Sequence, residues 1–121
     1  MVKILTQIIA ELSPLLPIGA EWIQENTAFP YGVFSYSNRE QEKRNMVLFT
    51  LDIWDKNTSI LPLETICSQI RKKLDGKKWN TSGMFASSYF ATIATIPDPD
   101  PLYKRRRMTF TLYFYDKEVT Q

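Results

Sequence analysis

The stretch Arg106-Arg107-Met108-Thr109-Phe110-Thr111-Leu112-Tyr113-Phe114-Tyr115 decides the fold class. Met108, Phe110, Leu112 and Phe114 fall on one side of an extended chain, and Thr109, Thr111, Tyr113 and Tyr115 on the other. That period of two marks a β-strand with one face in a core. Residues 46–54 repeat it. Val47, Phe49, Leu51 and Ile53 share one face, and Met46, Leu48, Thr50, Asp52 and Trp54 share the other. The apolar members of the second set predict a strand covered on both sides. Residues 29–36 predict another strand, with Pro30 at its start, where a missing N–H costs least. Residues 79–96 predict one long strand or two shorter ones, interrupted near Ser87-Ser88.

Around these strands lie two amphipathic helices. Val2, Ile4, Leu5, Ile8, Ile9 and Leu12 recur at helical spacing, and Ser13-Pro14 ends the pattern, because a residue before proline is pushed out of the α region. Leu63, Ile66, Cys67, Ile70 and Leu74 mark the second stripe. Pro62 suits its first turn and Gly76 the position just past its end. Glu64 early and Arg71, Lys72 and Lys73 late suit the helix dipole. Between helix and strand, residues around Pro17, Gly19 and Glu25-Asn26-Thr27 read as a loop from which Trp22 and Ile23 dip toward the core. Residues 37–45 read as a polar, mobile hairpin loop, and residues 55–58 as a turn. The order is α-β-β-α-β-β, which predicts an α+β fold over residues 1–121, a single domain with two helices packed on one face of a mostly antiparallel sheet.

Composition narrows the chemistry. The chain has 121 residues, one cysteine and no histidine, which excludes an internal disulfide framework and removes the commonest general base and metal ligand. Cys67 lies on the apolar stripe of a helix and reads as a core residue. Asp52 and Asp55 are the nearest approach to an acid pair, but nothing adjacent would shift a pKa, and Asp55 reads as a turn-opening acceptor. Asp98 and Asp100 alternate with Pro97, Pro99 and Pro101, a stiff connector rather than a cation loop. No catalytic, metal or cofactor-binding set emerges, so an enzyme is not expected. Neither a signal peptide nor an apolar run long enough to span a membrane is present, so a reducing, cytoplasmic setting without membrane contact is expected.

Charge is unevenly placed. Residues 1–55 hold four Lys/Arg against seven Asp/Glu, a net of −3, and residues 56–121 hold eleven against six, a net of +5. The run Lys104, Arg105, Arg106 and Arg107 is the sharpest feature. It suits an acidic protein surface or phosphate, and a solvated strand entrance explains it as well. Lys77 and Lys78 would enlarge that patch if the fold brought them near. Tyr113 and Tyr115, beside Thr109 and Thr111, offer an aromatic face that suits base stacking, and helix cover or subunit contact explains it equally well.

Several landmarks recur in one family. They are an apolar N-terminal helix leading to Pro30-Tyr31 at a strand start, and Asp52-Ile53-Trp54-Asp55 leading into a helix that ends Leu74-Asp75-Gly76. After an acidic-proline loop, Arg107-Met108-Thr109-Phe110 opens the last strand. Over residues 4–115 this pattern resembles the tail-terminator and head–tail completion proteins of long-tailed bacteriophages and prophages. The resemblance implies a non-enzymatic virion subunit of the head–tail interface, present in host cytoplasm before assembly. It also implies a homo-oligomeric ring, commonly a hexamer, contacting the tail-tube protein and head connector, with DNA passing through. In such a ring, Lys104, Arg105, Arg106 and Arg107 would meet Glu40, Glu42 or the loop holding Glu21 and Glu25 head-to-tail. The alternative is a small nucleic-acid-binding α+β module that uses the basic C-terminal half. The proline connector and the basic run match no family motif.

Overall fold

Two long strands meet at the centre of the sheet. In the computed structural model, which describes residues 2–22, 27–41 and 44–116, β3 (Arg44–Lys56) runs antiparallel to β6 (Tyr103–Asp116). The register pairs Phe49 with Phe110 and Leu51 with Met108, so the two apolar alternations share one face. β2 (Tyr31–Gln41) flanks β3, and β5 (Met84–Ile96) flanks β6, both antiparallel. Short strands close the two sides. β1 (Ile18–Ala20) lies parallel to β2, and β4 (Lys77–Asn80) antiparallel to β5, giving the order β1-β2-β3-β6-β5-β4.

Helices α1 (Val2–Leu12) and α2 (Leu61–Leu74) supply the rest of one core. Ile4, Ile8 and Leu12 of α1 and Leu63, Cys67, Ile70 and Leu74 of α2 are buried with Val47, Phe49, Leu51, Ile53, Met108, Phe110 and Leu112. Rings interlock within it: Phe34 stacks on Phe49 at 5.3 Å between centroids, and Phe90 meets Phe110 edge-on at 5.7 Å. Pro62 lies in the first turn of α2, as its sequence predicts. Gly76 takes φ 74° just beyond the helix, a left-handed conformation that favours glycine, and its N–H reaches Ser88 O at 2.7 Å. Asp75 caps the same end and accepts the Phe90 N–H at 2.9 Å, tying the helix to β5. Gly32 sits in a tight place for a different reason. A Cβ there would stand 3.0 Å from Leu51 Cδ1 and 3.4 Å from Leu16 Cδ1.

Several expectations need correction. The observed order is α-β-β-β-α-β-β-β, because β1 and β4, three and four residues long, are too short to show a period. Residues 37–45 are not a loop: the β2–β3 ladder continues to Gln41 opposite Arg44, since backbone pairing in a hairpin needs no apolar side chains. Only residues 42–43 separate the strands, and Glu42 lies outside the described residues. The chain between β4 and β5 turns at Thr81, whose Oγ1 accepts the Gly83 and Met84 N–H groups. β5 then runs unbroken through Ser87 and Ser88, both buried, and its irregularity lies between Phe90 and Thr92. Asp55 opens no turn. It lies within β3, one residue before its end, buried, with Oδ1 accepting the Lys56 N–H, while Asn57 and Ser59 supply the turn chemistry. Trp22 is 67% exposed rather than drawn inward, and Ile23 lies outside the described residues. The second face of β3 (Met46, Leu48, Thr50, Asp52 and Trp54) is half-buried, and the described helices pack instead with Val47, Phe49, Leu51 and Ile53 on the first.

The two faces of β6 should therefore respond differently to truncation. Phe110→Ala is expected to cost about 3–5 kcal/mol in urea denaturation. Tyr115→Ala, on the helix-free face, should cost about 0.5 kcal/mol or less. Equal costs would mean that both faces are packed.

Candidate interface on the open face of the sheet

The alternation that buries one face of β3 and β6 displays the other, and the basic run straddles both. Arg106, paired in register with Ile53, reaches the helix side, where its Nε donates to Glu64 Oε1 of α2 at 2.9 Å. Arg105 and Arg107 stand on the open side opposite Trp54 and Asp52. Asp52 holds both: Oδ2 accepts Arg105 Nη2 at 2.7 Å, and Oδ1 accepts Arg107 Nε at 2.8 Å. Arg107 Nη2 also donates to Oδ2 at 3.2 Å, a bidentate grip. The Arg105 guanidinium lies 4.3 Å from the centroid of the Trp54 ring. Lys104 turns to the connector, its Nζ donating to Pro101 O at 2.7 Å. The four residues thus form no single patch.

Burial works against the charged form of Asp52. The hydrogen bonds and positive charges of Arg107 and Arg105 outweigh it and hold this carboxyl below the usual aspartate pKa. The same contact raises the pKa of Arg107. Lys77 does not join this cluster, because it pairs with Glu11 of α1 at 3.4 Å from the opposite end of β5.

Farther along the open face, aromatic rings replace charge. Phe85, Ser87 and Tyr89 of β5 and Tyr113, Phe114 and Tyr115 of β6 line a shallow basin of about 350 Å³. Tyr89 and Tyr113 meet edge-on at 6.1 Å, with Ser87 buried beside them. Sequence reasoning found Tyr113 and Tyr115 but missed Phe85, Tyr89 and Trp54. The first two follow a period of two that the expected break at Ser87-Ser88 hid, and Trp54 gained its role only when the register set it against Arg105. The backbone of Glu40 lies in β2, paired with Asn45, but its side chain, like all of Glu25 and Glu42, lies outside the described residues. Glu21 is exposed on the loop after β1.

The arrangement suits recognition of a partner by aromatic and guanidinium groups. Burial first, and the nearby Glu64 charge second, push the Cys67 thiol up to about 11, which disfavours the thiolate. Among the described residues no group of three or more His, Cys, Asp or Glu could hold a metal ion. Asp98 and Asp100 serve their own connector, accepting the Asp100 and Leu102 N–H groups at 2.9 Å each. No helix among the described residues is long and apolar enough to cross a membrane.

No protein-family profile matches the chain, and no curated protein matches it. Among solved structures, it is similar to a chain in the virion of a native gene transfer agent particle. The TM-score is 0.64 at 9% sequence identity, over 89% of this chain and 84% of that one. At that identity the likeness is one of fold.

The Asp52 cluster carries a pH signature. Its folded-state pKa is depressed, so it contributes stability above pH ~4 that is lost as pH falls through the lower folded value. Asp52→Asn is expected to cost about 1 kcal/mol at pH 7 and to flatten the acid limb of the stability curve. Urea titrations across a pH series measure both. An acid limb as steep in the variant as in the wild type would contradict the linkage.

Proposed function

We propose that this chain is a virion structural protein, a ring-forming tail-terminator or head–tail joining subunit of a phage or prophage, acting through protein–protein contacts without catalysis. The observation that carries this reading is the likeness in fold to a gene transfer agent virion chain, extending over 89% of this chain. The open face supports it: Trp54, Tyr89, Tyr113 and Tyr115 are side chains of the type that anchor protein interfaces. The partners on this reading are further copies of the chain, the tail-tube protein and a head connector, with DNA passing through the ring.

The state of the arginines favours protein over nucleic acid as the partner. A phosphate-binding strip needs guanidinium groups free to neutralise phosphates. Here Arg105 and Arg107 share the Asp52 carboxylate and Arg106 holds Glu64. Of these three arginines, what remains for a neighbour is chiefly the exposed part of Arg107, 44% of its side chain, in addition to the aromatic basin.

Light scattering on the purified protein, with negative-stain microscopy and a DNA shift assay beside it, tests the reading. Closed rings that form without nucleic acid are expected. A monomer at every concentration that shifts DNA in a salt-dependent way would instead support the nucleic-acid module.

A further inference from the structure

The sheet is stepped at both sides, and the steps are complementary. On one side β4 pairs only with residues 85–88 of β5. Beyond it, Ser88 O accepts the Gly76 N–H and the Phe90 N–H goes to Asp75, and there the cover ends. Among the described residues nothing pairs with the free side of Ala91-Thr92-Ile93-Ala94-Thr95-Ile96, and residues 91–95 are all exposed. On the other side β1 pairs only with residues 32–34 of β2, and Phe34 O accepts the Glu21 N–H. Among the described residues no strand lies beyond residues 35–41 of β2.

Folded proteins blunt such edges with charge, proline or shortness. β4 obeys this rule, being four residues long with Lys77 and Lys78. Residues 91–96 of β5 hold two threonines and two isoleucines, and neither a charge nor a proline, the irregularity between Phe90 and Thr92 being their one edge-blunting feature. An uncharged, β-prone edge left open beside a β4 that is short and charged points to a strand that arrives from outside.

We propose that the free edge of β5 in one copy pairs antiparallel with residues 35–41 of β2 in the next, joining subunits by a lap joint of backbone hydrogen bonds. This inference rests on the ring reading above and names the joint. Direction fits, because β2, β3, β6 and β5 alternate in sense, so β2 and β5 at the two sides run oppositely. Two copies set side by side in the same orientation therefore bring antiparallel strands together. Position fits as well. The free half of β5 lies at the Tyr31 end of the sheet and the free half of β2 at the Gln41 end, so the neighbour is offset along the strands. With that offset, β4 of the first copy lies in line with β2 of the second, and β1 of the second lies in line with β5 of the first. The short strands act as stops that fix the register. A closed ring accommodates such an offset by tilting its strands against the ring axis. The contact is heterologous, with one edge used up by each neighbour, and so it propagates.

The pairing alternation also chooses a probe. Ser88 and Phe90 direct backbone groups away from β6, and across the irregularity at Ala91 the register places Ile93 and Thr95 in the same sense. Thr95→Pro removes an N–H from the free side and leaves the β5–β6 ladder whole. The variant should keep the wild-type circular dichroism spectrum and melting temperature while assembling roughly tenfold or more weakly by light scattering. Hydrogen exchange on the wild type is the second readout: the Ile93 and Thr95 amides should be protected in the assembly and exchange fast in the diluted monomer. Rings in which these amides still exchange fast, or that Thr95→Pro leaves unweakened, would overturn the joint while the ring reading stands. A wild type that is monomeric at every concentration would overturn both.

Discussion

The structure depends on one pairing, the antiparallel ladder between β3 and β6. Its register sets Phe49 against Phe110 and Leu51 against Met108, and by that choice puts Asp52 opposite Arg107 and Trp54 opposite Arg105. A slip of one residue would turn the apolar set outward and leave arginine in the core. Helix packing follows from the first consequence, since α1 and α2 can bury their stripes only against the face that carries Phe49 and Phe110. The open face follows from the second.

The same register explains why a run of four basic residues yields so little free charge. Successive residues of a strand point to opposite faces, so Arg106 is committed to Glu64 on the helix side while Arg105 and Arg107 converge on Asp52. A charge run read along the sequence looks like a patch; folded into a strand, it is two separate ion-pair sites. Asp52, which reads as an isolated acid in the sequence, becomes the group that holds them.

How far each feature was legible follows from how local its cause is. The stripes of α1 and α2 and the alternation of residues 106–115 are local patterns, and they give those elements directly. Gly76 was legible because a left-handed residue after a helix has a residue-type signature. The short strands β1 and β4 were not, since three or four residues show no period and their partners lie elsewhere in the chain. The polar extension of β2 to Gln41 was hidden for a related reason: its order comes from backbone pairing with β3 rather than from burial of its side chains. Of the candidate interface, Tyr113 and Tyr115 could be read from one strand alone, whereas Trp54 needs the β3–β6 register and the stepped edges need the whole strand order.

On the proposed reading, an incomplete sheet is a functional property. The helices finish one face, β1 and β4 finish half of each side, and the remainder waits for a neighbour. A cryo-electron microscopy reconstruction of the purified, assembled protein tests this most directly. The account predicts a closed ring in which β5 of each subunit lies antiparallel to β2 of the next, so that one sheet continues across every joint. Subunits joined through α1 and α2, with residues 91–96 bare, would contradict it.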